Sequence, residues 1–206
     1  ESLSGFGFGP GRLVKVATIG TPLTVGNPTY INELKELRRF NHEGQAGKLK
    51  FQASSYEVKL TSDVQGDKAR LKKILQEFGR HLSEGNIQGF VEPILSGTGW
   101  HNELRRIAEI LGDIPQQGIA TPVGLKVRGA GDSALKNEQL CYVIVSSIEH
   151  KLSLKATAGL HHPIIERTKY GNNLGFLNLK VALYLASILP TDIFPPEAIF
   201  ECLNNA

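Results

Sequence analysis

The chain has no methionine, one tryptophan and two cysteines in 206 residues. A natural chain of this size normally carries a few methionines, so spacings across loops are read only to within a few residues. Cys141 and Cys202 have no neighbouring cysteine. They offer no disulfide framework and read as reduced core thiols of a cytoplasmic protein. No apolar run approaches the roughly 18–20 residues of a membrane span, so no membrane partner is expected. The opening stretch Glu1 to Gly11 lacks a basic segment ahead of an apolar core and does not read as a secretory signal. Charge of one sign is also scarce. A net charge of +3 is too mild to predict binding to nucleic acid or to an anionic membrane. Repeats, heptads and low-complexity segments are missing as well.

The sequence does carry enough apolar residues for a packed core. They make up 41% of the chain, against 21% charged, which predicts one globular domain over residues 1–206. Gly5, Gly7, Gly9 and Gly11 alternate before the first strand. A phosphate loop follows a strand and opens a helix, so residues 1–12 read instead as an N-terminal arm. After the arm, strand and helix patterns alternate. Extended runs are expected at Leu13–Ile19, Leu49–Leu60, Ile87–Leu95, Gly118–Val123, Leu125–Arg128 and from Leu152 to Thr157. Helical stripes are expected from Thr29 to Phe40, Asp67 to Glu84, Asn102 to Leu111, from a cap at Asp132 or Ser133 to Ile148, and from Phe176 to Leu189, with a short helix at the end. This alternation predicts an α/β protein with a parallel sheet.

Several strands are apolar on one face and charged on the other. Leu125 and Val127 alternate with Lys126 and Arg128, Leu154 and Ala156 with Lys155 and Thr157, and Val58 with Glu57 and Lys59. Strands of a doubly wound sheet are covered on both faces and read as continuous apolar runs. The alternation therefore favours a (β/α)8 TIM-type barrel, complete or incomplete, whose lumen takes the charged face.

In such a barrel the C-terminal strand ends share one mouth. Glu92, Lys126, Arg128, Lys155 and one of His161 and His162 are expected there. Adjacent residues in extended chain point to opposite sides, so only one histidine turns inward. Three cations close together need anions. Glu57 and Glu92 supply two, and the rest is either an internal salt-bridge network or a carboxylate or phosphate ligand held by Arg128 as a clamp. A lysine crowded by cations becomes a nucleophile towards carbonyls. Lys155 or Lys126 is thus a candidate Schiff-base residue, with Glu92 or a histidine moving protons. Thr157, Gly159 and Asn178 are further candidates for substrate contact. A metal site from His161, His162 and Glu92 has no third spaced histidine to support it, so no metal and no cofactor is expected. The glycine turns at Gly129–Gly131 and Gly171–Asn173 each precede a helix and could offer backbone N–H groups to phosphate.

Two motifs occur together: K-V-R-G-A-G at Lys126–Gly131, and L-K-A-T-A-G-L-H-H-P at Leu154–Pro163 followed by G-F-L-N at Gly175–Asn178. They resemble a family of uncharacterised bacterial proteins with K-x-R-T-G-G and K-A-T-A-G-L-H-H-P strands, over about the last 120 residues including F-V-E-P at Phe90–Pro93. Gly129-Ala130 departs from that family's Thr-Gly. Lysines on two successive late strands are also distantly similar to class I aldolase barrels such as deoxyribose-phosphate aldolase. That likeness implies a lyase with a Schiff-base lysine. The expected function is an enzyme that binds a small anionic metabolite at the barrel mouth, as a monomer or a homo-oligomer. The alternatives are a non-catalytic ligand-binding barrel and a metal-dependent hydrolase.

Overall fold

A computed structural model describes residues 13–44, 50–114, 123–129, 134–168, 171–173 and 175–205. The expected arm at 1–12, most of the expected strand at Gly118–Val123, and the proposed caps Asp132 and Ser133 lie outside these residues. Five strands form one parallel sheet in sequential order: β1 (Leu13–Ile19), β2 (Lys50–Lys59), β3 (Gln88–Glu92), β4 (Val123–Arg128) and β5 (Leu154–Thr157). Between them come α1 (Thr29–Glu43), α2 (Ser62–Gln65), α3 (Lys68–Glu84), α4 (Trp100–Asp113) and α5 (Asn137–Glu149). A two-stranded antiparallel hairpin, β6 (Glu166–Thr168) and β7 (Gly171–Asn173), precedes α6 (Phe176–Ile188) and α7 (Pro196–Asn204). No described helix is long and apolar enough to cross a membrane. Both cysteines are free thiols.

The eight-stranded barrel is overturned. The sheet is an open half-barrel of five strands, wound in one direction. Parallel crossovers are nearly always right-handed, so a sheet built in sequential order keeps its crossover helices on one face. Such a sheet shows the same one-sided alternation as a closed barrel. The charged inner faces of the strands are therefore evidence of single winding and carry no information about closure.

The helix layer is built from periodic apolar stripes. In α3 the Asp67 carboxylate caps the first turn by accepting from the Arg70 amide at 2.9 Å, and Leu71, Leu75, Phe78 and Leu82 are buried. They pack on the outer strand residues Tyr56, Val58, Val91, Leu125 and Val127 in one core. Gly89 lets the α3 side chains close on β3, because a Cβ there would lie 2.2 Å from Leu82. The helix expected from Asp132 or Ser133 starts at Asn137, where Gln139 Oε1 accepts from the Lys136 amide at 2.9 Å. The β1–β2 register shifts between Val16 and Ala17, opposite the extra residue Ser54 of β2, so that Ile19 pairs with Glu57.

The inner face of the sheet is set by register. Lys59 pairs with Glu92, and Lys126 with Lys155, and continuing the β3–β4 register sets Glu92 beside Lys126. These residues form one row across β2–β5. One step towards the strand starts, Glu57 pairs with Phe90 and Phe90 with Gly124. One step towards the mouth, Arg128 pairs with Thr157.

Candidate functional site

Five charged groups alternate in sign along this inner face. Lys155 Nζ lies 2.6 Å from Glu57 Oε1, and Lys126 Nζ lies 2.9 Å from Glu57 Oε2. Lys126 also reaches Glu92 Oε2 at 3.1 Å, and Arg128 Nε donates to both Glu92 oxygens at 2.9 Å. Glu57, Glu92 and Lys126 are only 3–4% exposed. Burial alone would raise the Glu57 carboxyl. Hydrogen bonds and charge from Lys155 and Lys126 more than offset it, and hold Glu57 below the ordinary carboxylate range.

The Glu57–Lys155 contact also reports the shape of the sheet. β2 and β5 are three strand spacings apart, about 14 Å on a flat sheet. Side chains from these two strands nonetheless meet at 2.6 Å, and Lys155 also donates to Ser55 Oγ at 3.0 Å. Only a sheet curled towards its inner face brings them together. Under Lys155 lies the Phe90 ring, with its centroid 5.4 Å from Nζ. Gly124 makes room for that ring: a Cβ at this position would sit 2.9 Å from the Phe90 edge.

The two lysines differ in access. The Lys126 side chain is 3% exposed and spans two carboxylates, whereas that of Lys155 is 24% exposed with one carboxylate neighbour. The Arg128 side chain is 36% exposed. Its Nε is committed to Glu92, and no described residue accepts from its terminal nitrogens. Arg128 also borders a small cleft with Gly129, Leu135, Asn137 and Leu160. A second cleft at the same mouth is lined by Lys59, Pro93, Ser96 and Leu135.

The motif residues beyond Lys155 shape the chain around the mouth. The Thr157 hydroxyl donates to the Val127 carbonyl at 3.4 Å. Ala158 and Gly159 both adopt positive φ, at 58° and 70°, and turn the chain sharply out of β5. The Gly129 amide donates to the Thr157 and Ala158 carbonyls at 3.2 Å, which ties the end of β4 to this turn. His161 is exposed. His162 Nε2 lies 3.1 Å from Glu166, and its carbonyl accepts from the Phe176 amide at 3.0 Å. Asn178 is buried and fully engaged with backbone. Its Oδ1 accepts from the Ile165 amide at 2.8 Å, and its Nδ2 donates to the Cys202 and Asn205 carbonyls. The G-F-L-N segment thus fastens the loop after β5 to α6 and α7.

Lys126, Arg128, Lys155 and Glu92 come together on the inner face, while His162 and Asn178 contact the loop and helices beyond it and His161 is exposed. Sequence reasoning took Glu57 only as a counter-charge and passed over Phe90. Glu57 was recoverable, because it alternates with Tyr56 and Val58 as Lys126 does with Leu125 and Val127. Phe90 was hidden because an aromatic residue in a strand reads first as core. Among the described residues no three His, Cys, Asp or Glu side chains are grouped to hold a metal ion. No model of a known protein family matches the chain, and no curated protein matches it.

Proposed function

We propose that the inner face binds a small anionic metabolite, a carboxylate or phosphate, and that Lys155 condenses with its carbonyl group as an aldolase-type lyase residue. The observation that carries this reading is the charge balance. Among the described ion pairs, three cations, Lys126, Arg128 and Lys155, share two carboxylates, Glu57 and Glu92, on a largely buried face. The outer edge of Arg128 is the open end of that row, and its fork matches a carboxylate or phosphate. Of the two lysines, the more accessible Lys155 is the better placed nucleophile. Lys126 bridges the two carboxylates and organises the row. The free thiols are consistent with a reducing, cytoplasmic setting. A second reading, a non-catalytic anion receptor, draws on the same row, in which Lys126, Arg128 and Lys155 each already have a carboxylate partner.

A thermal-shift screen against phosphorylated and carboxylated metabolites tests the anion site. Ligand at about 100 times its Kd adds roughly 2.7 kcal/mol, or roughly 5–10 °C for a chain of this size. The expected result is a shift that Arg128→Ala abolishes. Absence of a shift with every anion tried would overturn the reading.

A further inference from the structure

We infer that Glu57 is the acid–base residue of the Lys155 site, taking a proton from the lysine ammonium and returning it to the departing oxygen of the substrate. This rests on the Schiff-base reading above and names the group that serves it. The sequence expectation gave that role to Glu92 or a histidine. Geometry favours Glu57 over each. Both Glu92 oxygens accept from Arg128 Nε, and Oε2 also meets Lys126. His161 is exposed, and His162 is turned to Glu166. Only Glu57, among the described carboxylates and imidazoles, contacts Lys155, at 2.6 Å, within the range required for direct proton transfer.

The groups around Glu57 fit this role. Lys126 approaches its second oxygen at 2.9 Å and keeps the carboxylate ionised, so it starts the cycle as a base. Ser55 on its own strand donates no proton to it but accepts from Lys155 at 3.0 Å, which fixes the amine. Lys59 is on the same face of β2, and Glu92 is reached through Lys126. The Phe90 ring closes the floor under the amine. In the step itself, the Lys155 nitrogen loses one proton to Glu57 and its lone pair forms the C–N bond. The carbonyl π pair moves to oxygen. Glu57 returns that proton to the oxygen and takes a second proton from the nitrogen, giving the carbinolamine. It then delivers the second proton to the hydroxyl, which leaves as water while the nitrogen lone pair forms the C=N bond. Ammonium plus carbonyl gives iminium plus water, with no oxidant or reductant consumed.

The test uses pyruvate as a carboxylate-bearing carbonyl probe, cyanoborohydride to trap the iminium, and peptide mass spectrometry to locate the adduct. Arylation by trinitrobenzenesulfonate is measured in parallel as a reaction of Lys155 that needs no relay. Glu57→Gln removes both the proton acceptor and the counter-charge of the lysine. Loss of the counter-charge alone frees the amine from its ion pair and speeds both reactions. Loss of an acid–base group slows trapping by about 10²-fold or more while arylation quickens. Opposite signs are the expected outcome, with Glu57→Asp intermediate in trapping. If both rates rise together, or trapping is unchanged, Glu57 is only a counter-ion and the inference fails while the Schiff-base reading stands. If wild-type protein forms no adduct at Lys155 although pyruvate binds, the Schiff-base reading fails and takes the inference with it. Should Glu57→Gln fail to fold, the same comparison is made with Glu57→Asp, where unchanged trapping with faster arylation overturns the role.

Discussion

Replacing Lys126 by methionine removes a buried cation that touches both Glu57 and Glu92. The carboxylates keep Lys155 and Arg128 but lose the ion between them. Breaking such a buried pair from one side costs about 3–5 kcal/mol. Lys155→Met removes a more accessible cation and leaves Glu57 paired with Lys126, so its cost is nearer that of one charged hydrogen bond, about 1.5–3 kcal/mol. Urea unfolding of the two variants should rank them in this order. Acid sensitivity follows from the same contacts. Glu57 titrates below the ordinary glutamate value of 4.5 because Lys155 and Lys126 more than offset its burial. Its contribution is therefore complete above pH 4.5 and is lost as pH falls through the lowered folded value. Glu33 shifts in the same direction: its burial is outweighed by hydrogen bonds from Thr21 and Tyr56. A series of urea midpoints from pH 7 to pH 3 should fall on the acid side, and fall less steeply in Glu57→Gln.

At the scale of elements, α6 has an unusual distribution of apolar residues. Leu179 and Ala182 are buried, while Leu177, Val181, Tyr184 and Ile188 form an exposed stripe at helical spacing. Leu179→Ala should cost about 2–5 kcal/mol, whereas Tyr184→Glu, 63% exposed, should change stability by less than about 0.5 kcal/mol. Thermal melts of the two variants separate the faces. Sequence periodicity located this helix but not its orientation, because a helix apolar on every side gives no stripe to read. Where the stripe was one-sided, as in α3, helix and buried face were both legible from Leu71, Leu75, Phe78 and Leu82. The short elements were not. The four residues of α2 and the three-residue strands of the hairpin are too brief to establish a period. The inner charged face was legible residue by residue, since alternation in a strand is strict. Pairings along it were not, because Glu57 and Lys155 are separated by 98 positions and two intervening strands, and their meeting depends on how far the sheet bends.

At the scale of the molecule, the half-barrel has two lateral edges, β1 and β5, each with one strand neighbour among the described residues. β5 is additionally joined across the inner face to β2, through Lys155 with Glu57 and Ser55. Reductive capture of a ligand on Lys155 would divert the amine from that bridge. Hydrogen exchange at Leu154–Thr157 should then quicken by about tenfold or more, while the central β3 keeps its protection. Equal protection before and after capture would mean that backbone pairing alone holds β5 in place. In mechanical terms the curled sheet is an arch, and the ion pair is the tie-rod between two of its ribs. A ligand that claims Lys155 has to unhook that rod. Chemical occupancy and the bend of the sheet are then two readings of one bond.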